Sequence, residues 1–527
     1  MVLSRRAAKD FLATPVRNSE LAKRWPARKL VKRLLSLKPR FHTKPRRVQA
    51  LTYCLCWKYE RFLVFLGMGA GKTKLSLDLY NNRKLRGQCK RAVVCVPYEV
   101  NRDEWVSEAA LHTPSLKVVP LDAEGSAARW SVLLGDADVV VCTYVGLCKL
   151  LTSLQEVPAK GKRKAKRRWQ VDKKAVKRLA GQVDMLVLDE CTAVKNHTAA
   201  TTKVLSKVAA SVRFVYGLTG TSFDKDPQDL WSQFKLVDGG YALGQTLGLF
   251  RHVFFTAVRD YWSRGNKYKL KTKMEPTLRR RMAHSSIRFT EAECQSLPPV
   301  QGGITSDGPL MLRQVTFDQE TFAWQQRLIE ELRAAKGNRR LLKNAYSRLR
   351  QLTSGYLETV DTEGTRHTVV FAHNPKLDSL VALRRELPDE RLIVVHYYNK
   401  TGKLAAERLE KEGIPFVWVY GKTKGKKRDV LAKWKASPNA VLLASHAIAY
   451  GLNLHTHCRF MAFIESPDSR ILRTQLERRI VRGGGMKGRR LIYDVCVKNS
   501  VEQRIQESLY SGQSLFKRLV DGEELTL

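Results

Sequence analysis

The residues best suited to chemistry lie in the stretch Phe65-Leu66-Gly67-Met68-Gly69-Ala70-Gly71-Lys72-Thr73. It follows an apolar run, Arg61 to Leu66, and precedes a helix-compatible one, Lys74 to Tyr80, which is the strand, glycine loop, helix order of a P-loop. Glycines at 67, 69 and 71 carry no Cβ, so backbone N–H groups can turn inward around a phosphate chain. The positive end of the following helix points at the same anion. Lys72 would then reach the β and γ phosphates, and the Thr73 hydroxyl would hold Mg²⁺. The strict pattern asks for glycine where this chain has Leu66, so the loop is a variant; a GKT match by itself also suits a glycine-rich turn. A carboxylate pair, Asp189-Glu190, ends the apolar run Met185 to Leu188. One carboxylate can hold Mg²⁺ through water while its neighbour orients the attacking water, so Asp189 takes the first role and Glu190 the second. Without the loop, such a pair reads as a helix cap. Gln49, a short way ahead of the loop, presents a donor and an acceptor together, as reading the edge of adenine requires; alone it is an ordinary surface glutamine.

Elements able to position these groups recur along the chain. Strand-like runs at 91–97 (RAVVCVP), 138–144 (DVVVCTY), 184–190 (DMLVLDE) and 213–221 (RFVYGLTGT) alternate with helix-like spacers. Continuous apolar strands of this kind belong to a parallel sheet buried on both faces. Ligands gather at the carboxyl ends of such strands, so Asp189 and Glu190 should lie at the sheet edge beside the glycine loop. Residues 310–356 lack strand signals and hold helix-forming stretches at 321–335 and 338–352. A second series follows at 391–398, 414–421, 439–445, 459–465 and 489–497, with no glycine loop of its own. The expectation is two α/β halves with a helical insert between them and a cleft between the halves.

A chain of 527 residues exceeds what one core organises and suits two domains with additions. Its 94 Lys and Arg against 50 Asp and Glu leave a net charge of +44, beyond what solubility asks for and suited to a polyanionic partner; a merely adhesive basic surface is the plainer alternative. No apolar run approaches the ~20 residues of a membrane span, and the basic N-terminus lacks the apolar core of a secretion signal. Ten cysteines lie scattered, most in apolar runs, as Cys95, Cys142 and Cys496 do. They read as reduced, buried thiols of an intracellular protein without a zinc site. Residues 1–40 read as a phosphate-touching arm or a solvated tail. The run 160–168 (KGKRKAKRR) is dense enough in charge for a disordered loop. Residues 261–281 mix aromatics with Lys and Arg, as do segments that stack on bases and also solvated hairpins.

Taken in order, these pieces resemble helicase superfamily two and, within it, the Swi/Snf-like ATPases, particularly the compact forms of phages and other viruses. Gln49 matches the family's adenine-reading glutamine, MGAGKT its motif I, VVCVPYEVNRDEWVSE its motif Ia with Trp105 and Glu108, and DVVVCTY its motif Ib. LVLDECTAVKN is similar to motif II, LTGTSFDKDPQDLWSQF to motif III, SRLRQLTSGYL and HNPKLDSL to the connector, GLNL at 451–454 to motif V, and Gln475, Arg479 and Arg482 to motif VI. The resemblance implies an α/β fold of two RecA-like parallel-sheet lobes in tandem: a basic arm at 1–40, an ATP-binding lobe at 41–240 with a basic insertion at 156–178, a basic hairpin and helical connector at 241–375, and a C-terminal helicase lobe at 376–527. It implies ATP and Mg²⁺ as cofactors. ATP would be held by Gln49, Met68, Gly69, Ala70, Gly71, Lys72, Thr73 and Lys74, and the metal by Thr73 and Asp189. Catalysis falls to Lys72, Asp189, Glu190, Gln475, Arg479 and Arg482. Thr143, Thr219, Thr221, Gly451 and Asn453 fall where the family touches the nucleic-acid backbone, although Thr at a strand end also caps helices. The implied activity is DNA-stimulated ATP hydrolysis that moves a monomer along DNA in viral or phage DNA metabolism. Replication, recombination or transcription proteins are the implied partners, with no membrane. A nucleic-acid-binding structural protein without turnover and an RNA-directed helicase are the alternatives. The sequence departs from the family in reading DECT where relatives often carry His at the fourth position, in Ile448-Ala449 for a glycine pair, and in Gly484 where Gln is usual.

Overall fold

The computed structural model describes every residue except 1–4, 68, 158–165, 221–226, 260–265, 295–296, 307, 361–364, 422, 424–426, 450–453, 484, 513–514, 521–524 and 526–527. The chain divides into two compact units, Met1–Gln295 and Ser296–Leu527. Among the described residues, the first unit is built on a seven-stranded sheet in the order Ser286–Phe289, Arg61–Leu66, Phe214–Thr219, Met185–Asp189, Ala92–Val96, Val139–Thr143, Val118–Pro120. Every pair in it is parallel.

Side chains along Arg61–Leu66 alternate between two cores. Leu63 and Phe65 join one cluster with Val93, Cys95 and Leu186, while Phe62, Val64 and Leu66 join another with Val94, Val96 and Val187. The sheet is therefore buried on both faces, which is why its strands read as unbroken apolar runs. The register sets Phe65 beside Thr219 and Leu218 beside Asp189. The glycine loop, Thr219 and the Asp189-Glu190 pair thus leave the sheet at one carboxyl edge.

Two edge strands carry little signal in the sequence. Val118–Pro120 is three residues long and ends in proline. Ser286–Phe289 lies inside the stretch assigned to the connector, yet it pairs with the P-loop strand, so the first unit runs on to Gln295 instead of ending at 240. The basic N-terminal segment is docked rather than loose. The Ser19 N–H donates to Ala283 O at 2.8 Å, the Arg17 guanidinium lies 3.7 Å over the Tyr59 ring, and Leu30 and Leu37 of helix Ala27–Leu37 are buried. Part of the basic insertion also takes up regular structure: Lys166–Val171 pairs antiparallel with Thr152–Val157, and helix Lys173–Ala180 follows with Asp172 as its N-cap. A backbone ladder satisfies main-chain groups whatever the side chains carry.

The second unit holds a second all-parallel sheet, ordered Val300–Gln301, Arg490–Val497, Phe460–Phe463, Leu392–His396, Val441–Ser445, Phe416–Val419, with Met311–Val315 also paired to Arg490–Val497. Helices Gln319–Ala334 and Arg339–Leu352, the expected helical insert, fall within this unit. Their apolar faces, through Leu328, Leu332 and Leu349, share one cluster with Ile505 and Leu519 from the last two helices. An amphipathic stripe must be covered, and the chain's own C-terminal helices cover it. All ten cysteines are free thiols, nine of them buried and Cys148 half-buried. No helix among the described residues is long and apolar enough to cross a membrane.

Candidate functional site

Helix Lys72–Leu85 starts from Gly71, whose φ of 77° and that of 70° at Gly69 lie in the left-handed region that strains any residue with a Cβ. The loop is braced from behind by the first turn of helix Arg47–Lys58. Gln49 Nε2 donates to Ala70 O and Gly71 O at 3.2 and 3.3 Å, its Oε1 accepts the Arg46 N–H at 2.8 Å, and Arg46 Nη1 donates to Gly69 O at 3.2 Å. A Cβ on Gly71 would fall 2.1 Å from Gln49 Nε2. The Gln49 amide is thus engaged by the loop, and contact with an adenine edge would have to share or replace these bonds. Lys72 Nζ donates to Leu66 O at 3.3 Å and lies 3.4 Å from Glu190 Oε1. Lys74 departs from its assignment. Its ammonium is buried against Asp78 Oδ2 at 2.5 Å, one turn along the same helix, so it offers phosphate only its backbone N–H.

Asp189 closes its strand, and Glu190 turns out of it at φ 48°, ψ 57°, a left-handed conformation that costs a non-glycine residue about 1–2 kcal/mol. The two carboxylates then have different partners. Asp189 Oδ2 accepts the indole N–H of Trp105 at 2.9 Å, Oδ1 accepts the Glu190 N–H at 3.0 Å, and Tyr144 donates its hydroxyl to the Asp189 carbonyl at 2.9 Å. Glu190 faces Lys72 with one oxygen and accepts the Thr219 hydroxyl with the other at 3.1 Å. Burial first, then the charge of Glu190, pushes the Asp189 carboxyl well above the usual carboxylate range, against the pull of Lys72 and the Trp105 bond. The sequence marks Trp105 and Tyr144 only as motif positions and gives neither a role, because a buried indole or phenol ordinarily reads as core.

The expected backbone-contact residues fare differently. Thr143 Oγ1 accepts the Gly146 N–H at 2.9 Å and so caps helix Tyr144–Leu150. Thr219 is fully buried, because its strand lies inside the sheet between Arg61–Leu66 and Met185–Asp189. Its hydroxyl serves Glu190 and does not face outward. Thr221, Gly451, Asn453 and Met68 lie outside the described residues.

In the second unit, helix Arg470–Glu477 carries Gln475, with Arg479 and Arg482 just beyond it. Arg473, on the same helix, is wholly buried and forks onto Asp494 at 2.6 and 2.7 Å while its Nε meets Glu477 at 2.6 Å, which fixes the helix to the last strand of the sheet. Gln475 Oε1 is buried without a hydrogen-bond partner among the described residues. Arg479 Nε donates to Gln475 O at 3.3 Å and Arg482 Nε to Arg478 O at 3.0 Å, and both charges reach His455. Burial first, then the charges of Arg482, Arg490 and Arg479, holds that imidazole at about 4.

A model of the SNF2-related domain matches residues 57–351, and one of the helicase conserved C-terminal domain matches residues 374–484. The chain belongs to the SNF2-related family. Putative protein p41 of Acyrthosiphon pisum secondary endosymbiont phage 1 is 27% identical over 234 residues, 42% of this chain and 45% of that protein, so the chain spans about half the length of this relative. Similar solved structures include the Sulfolobus solfataricus SWI2/SNF2 ATPase core in complex with dsDNA (17% identity, 92% of this chain and 94% of that one, TM-score 0.39) and the Pyrococcus furiosus Hef helicase domain (15% identity, 90% and 99%, TM-score 0.48).

In this SNF2-related chain, the first unit's groups fit a magnesium-bound triphosphate. Gly69 and Gly71 place no Cβ on their part of the loop, Lys72 is a compact cation beside it, and Thr73 and Asp189 are hard oxygen donors of the kind Mg²⁺ takes. Magnesium, when bound, neutralises charge on the triphosphate. Motifs II and III are joined by the Thr219 to Glu190 hydrogen bond and, further along, by Cys191 Sγ to Gln233 Oε1 at 3.3 Å, the Ser232 hydroxyl to Val194 O at 2.6 Å and the Lys195–Asp229 ion pair at 3.5 Å.

Proposed function

We propose that the chain is a DNA-stimulated ATPase that converts hydrolysis into movement along DNA. The observation that carries the reading is the chain of contacts Lys72, Glu190, Thr219, in which the loop lysine, a carboxylate at water-orienting position and the end of the neighbouring strand meet within 3.4 Å or less. Lys72 holds the β and γ phosphates, Thr73 and Asp189 hold the metal, and Glu190 orients the attacking water. Arg479 and Arg482 supply the second unit's share of the positive charge, worth roughly 10³–10⁵ in rate for an arginine finger. The excess of 44 positive charges favours a polyanion as the track, held through phosphates without sequence preference.

ATPase rates measured in parallel with no nucleic acid, single-stranded DNA, duplex DNA and RNA should rise most with DNA. Lys72→Ala, Glu190→Gln and Arg479→Ala should each lower turnover by about 10³ or more, and only Lys72→Ala should greatly weaken nucleotide binding. Full turnover in Glu190→Gln would refute the assignment. A triplex-displacement assay beside a strand-separation assay distinguishes movement on duplex from unwinding.

A further inference from the structure

Between helix Leu247–Phe254 and helix Glu275–Met282, the first unit sends out two antiparallel strands, Phe255–Arg259 and Asn266–Leu270. Past Phe255 the whole outgoing strand, Thr256 to Arg259, is exposed, and so are Asn266, Lys267 and Lys269 on the return. Successive side chains point to opposite faces of a strand, so at the outer end, where Val258 and Arg259 pair with Lys267 and Asn266, both faces are open, while nearer the base Tyr268 and Leu270, on the Arg259 face, pack against the core. Every charged side chain on the two strands is a cation. The register pairs Val258 with Lys267 and Thr256 with Lys269 on one face, and Arg259 with Asn266 on the other. The base of the ribbon is fixed near the carboxyl edge of the sheet. Arg251, on the helix leading into it, donates to Gln228 Oε1 at 2.7 Å and lies 4.3 Å over the Tyr268 ring. Gln228 opens helix Asp229–Asp238, the next helix after the strand that ends at Thr219.

We infer that this ribbon enters the major groove of B-form DNA, an inference that rests on the DNA-tracking reading above and names the form of DNA it needs. Paired strands lie ~5 Å apart, and a major groove about 12 Å wide and 8.5 Å deep admits a two-stranded ribbon. A ribbon lying flat on a backbone uses cations on one face only; one standing in a groove meets phosphates on both walls, and here cations occupy both faces. Lys267 and Lys269 serve one wall and Arg259 the other. The major groove of A-form RNA is too narrow and deep for the same entry, so the ribbon selects duplex DNA over duplex RNA by shape, without reading bases.

The test uses the full chain and the variant Arg259→Ala/Lys267→Ala/Lys269→Ala, with anisotropy binding to duplex DNA, duplex RNA of the same sequence and single-stranded DNA across a salt series. For duplex DNA the slope of log K against log salt should fall by about 2–3, near 0.9 for each phosphate that the variant no longer neutralises, while the RNA and single-strand slopes stay as they were. Dimethyl sulfate footprinting reads guanine N7, which faces the major groove. The wild-type chain should protect it and the variant should not. An unchanged duplex slope, an equal loss on RNA, or no N7 protection by the wild-type chain each overturns the inference. A wild-type chain that binds no nucleic acid overturns the proposed function instead.

Discussion

Gly71→Ala tests the bracing of the phosphate loop. Alanine at a φ of 77° costs about 1–2 kcal/mol of backbone strain. The new Cβ would sit 2.1 Å from Gln49 Nε2, so the amide must leave its bonds to Ala70 O, Gly71 O and Arg46 N. Stranding those groups adds about 1–3 kcal/mol, for a total of about 2–5 kcal/mol. Gln49→Ala alone loses the same bonds, about 1–3 kcal/mol. In the double variant the collision is gone and only strain is added, so its cost should fall short of the sum of the single costs by about 1–3 kcal/mol. A chain of two units does not unfold in one step. The cycle is therefore read from hydrogen exchange of amides in helix Lys72–Leu85, which reports local stability. Costs that add to within about 0.5 kcal/mol would mean that Gln49 neither fills the space beside Gly71 nor braces the loop.

Trp105→Phe keeps the buried ring and removes the N–H that Asp189 accepts. Nucleotide affinity in the presence of Mg²⁺ should drop by about 10- to 150-fold, in line with a charged hydrogen bond of about 1.5–3 kcal/mol, with Mg²⁺-free affinity unchanged; an equal drop in both shows a merely structural effect. Burial, then the charges of Arg17 and Arg281, holds His284 at about 4, and its Nδ1 accepts the Arg17 N–H. Because the folded value lies below the unfolded one of about 6.5, this stability is complete above pH 6.5 and is lost as pH falls toward 4. Screening at a half-buried ring limits the loss to about 1–2 kcal/mol. His284→Asn should flatten that acid limb in a melting series, and a wild-type protein without the limb contradicts the reasoning. Arg473→Met leaves Asp494 and Glu477 as buried carboxylates without their cation and should destabilise the second unit by about 3–5 kcal/mol. Recovery of part of that loss in Arg473→Met/Asp494→Asn, measured by calorimetry, separates charge burial from lost packing.

The central strands were legible because they are buried on both faces: Phe62 to Leu66 reads as one apolar run since its two sides serve two different cores. The glycine loop and Asp189 were legible because their chemistry needs particular residue types at a strand end. Partners across the sheet were not. That Trp105 meets Asp189 across 84 positions, or that Thr219 is buried beneath Glu190, depends on strand order, and nothing local to an indole or a hydroxyl announces it. Lys74 illustrates the converse: a lysine in the right motif register is taken by Asp78 four residues on, an i, i+4 pairing visible in the sequence but outranked there by the motif. Ser286–Phe289 escaped notice because an edge strand buries less, and the arginine at its third position breaks the apolar run.

Four neighbouring segments converge on the Asp189-Glu190 pair: Lys72 after the P-loop strand, Trp105 from the helix after Ala92–Val96, Tyr144 after Val139–Thr143, and Thr219 at the end of its own strand. A ligand that moves any of these segments must stretch a bond to the pair, so the carboxyl edge of the sheet and the phosphate loop cannot respond independently. The size of that response is bounded. One or two such bonds carry about 1–3 kcal/mol, which as a coupling energy is about 5–150-fold. An arginine finger is worth roughly 10³–10⁵. Stimulation by DNA within the smaller range can be carried by the first unit alone, whereas stimulation beyond about 150-fold exceeds it and, under the proposed function, would draw on Arg479 and Arg482. Measuring DNA stimulation in Arg479→Ala therefore assigns the coupling: a residual factor within the smaller range belongs to the contacts around Asp189 and Glu190, and its loss in Trp105→Phe would trace it to that hydrogen bond.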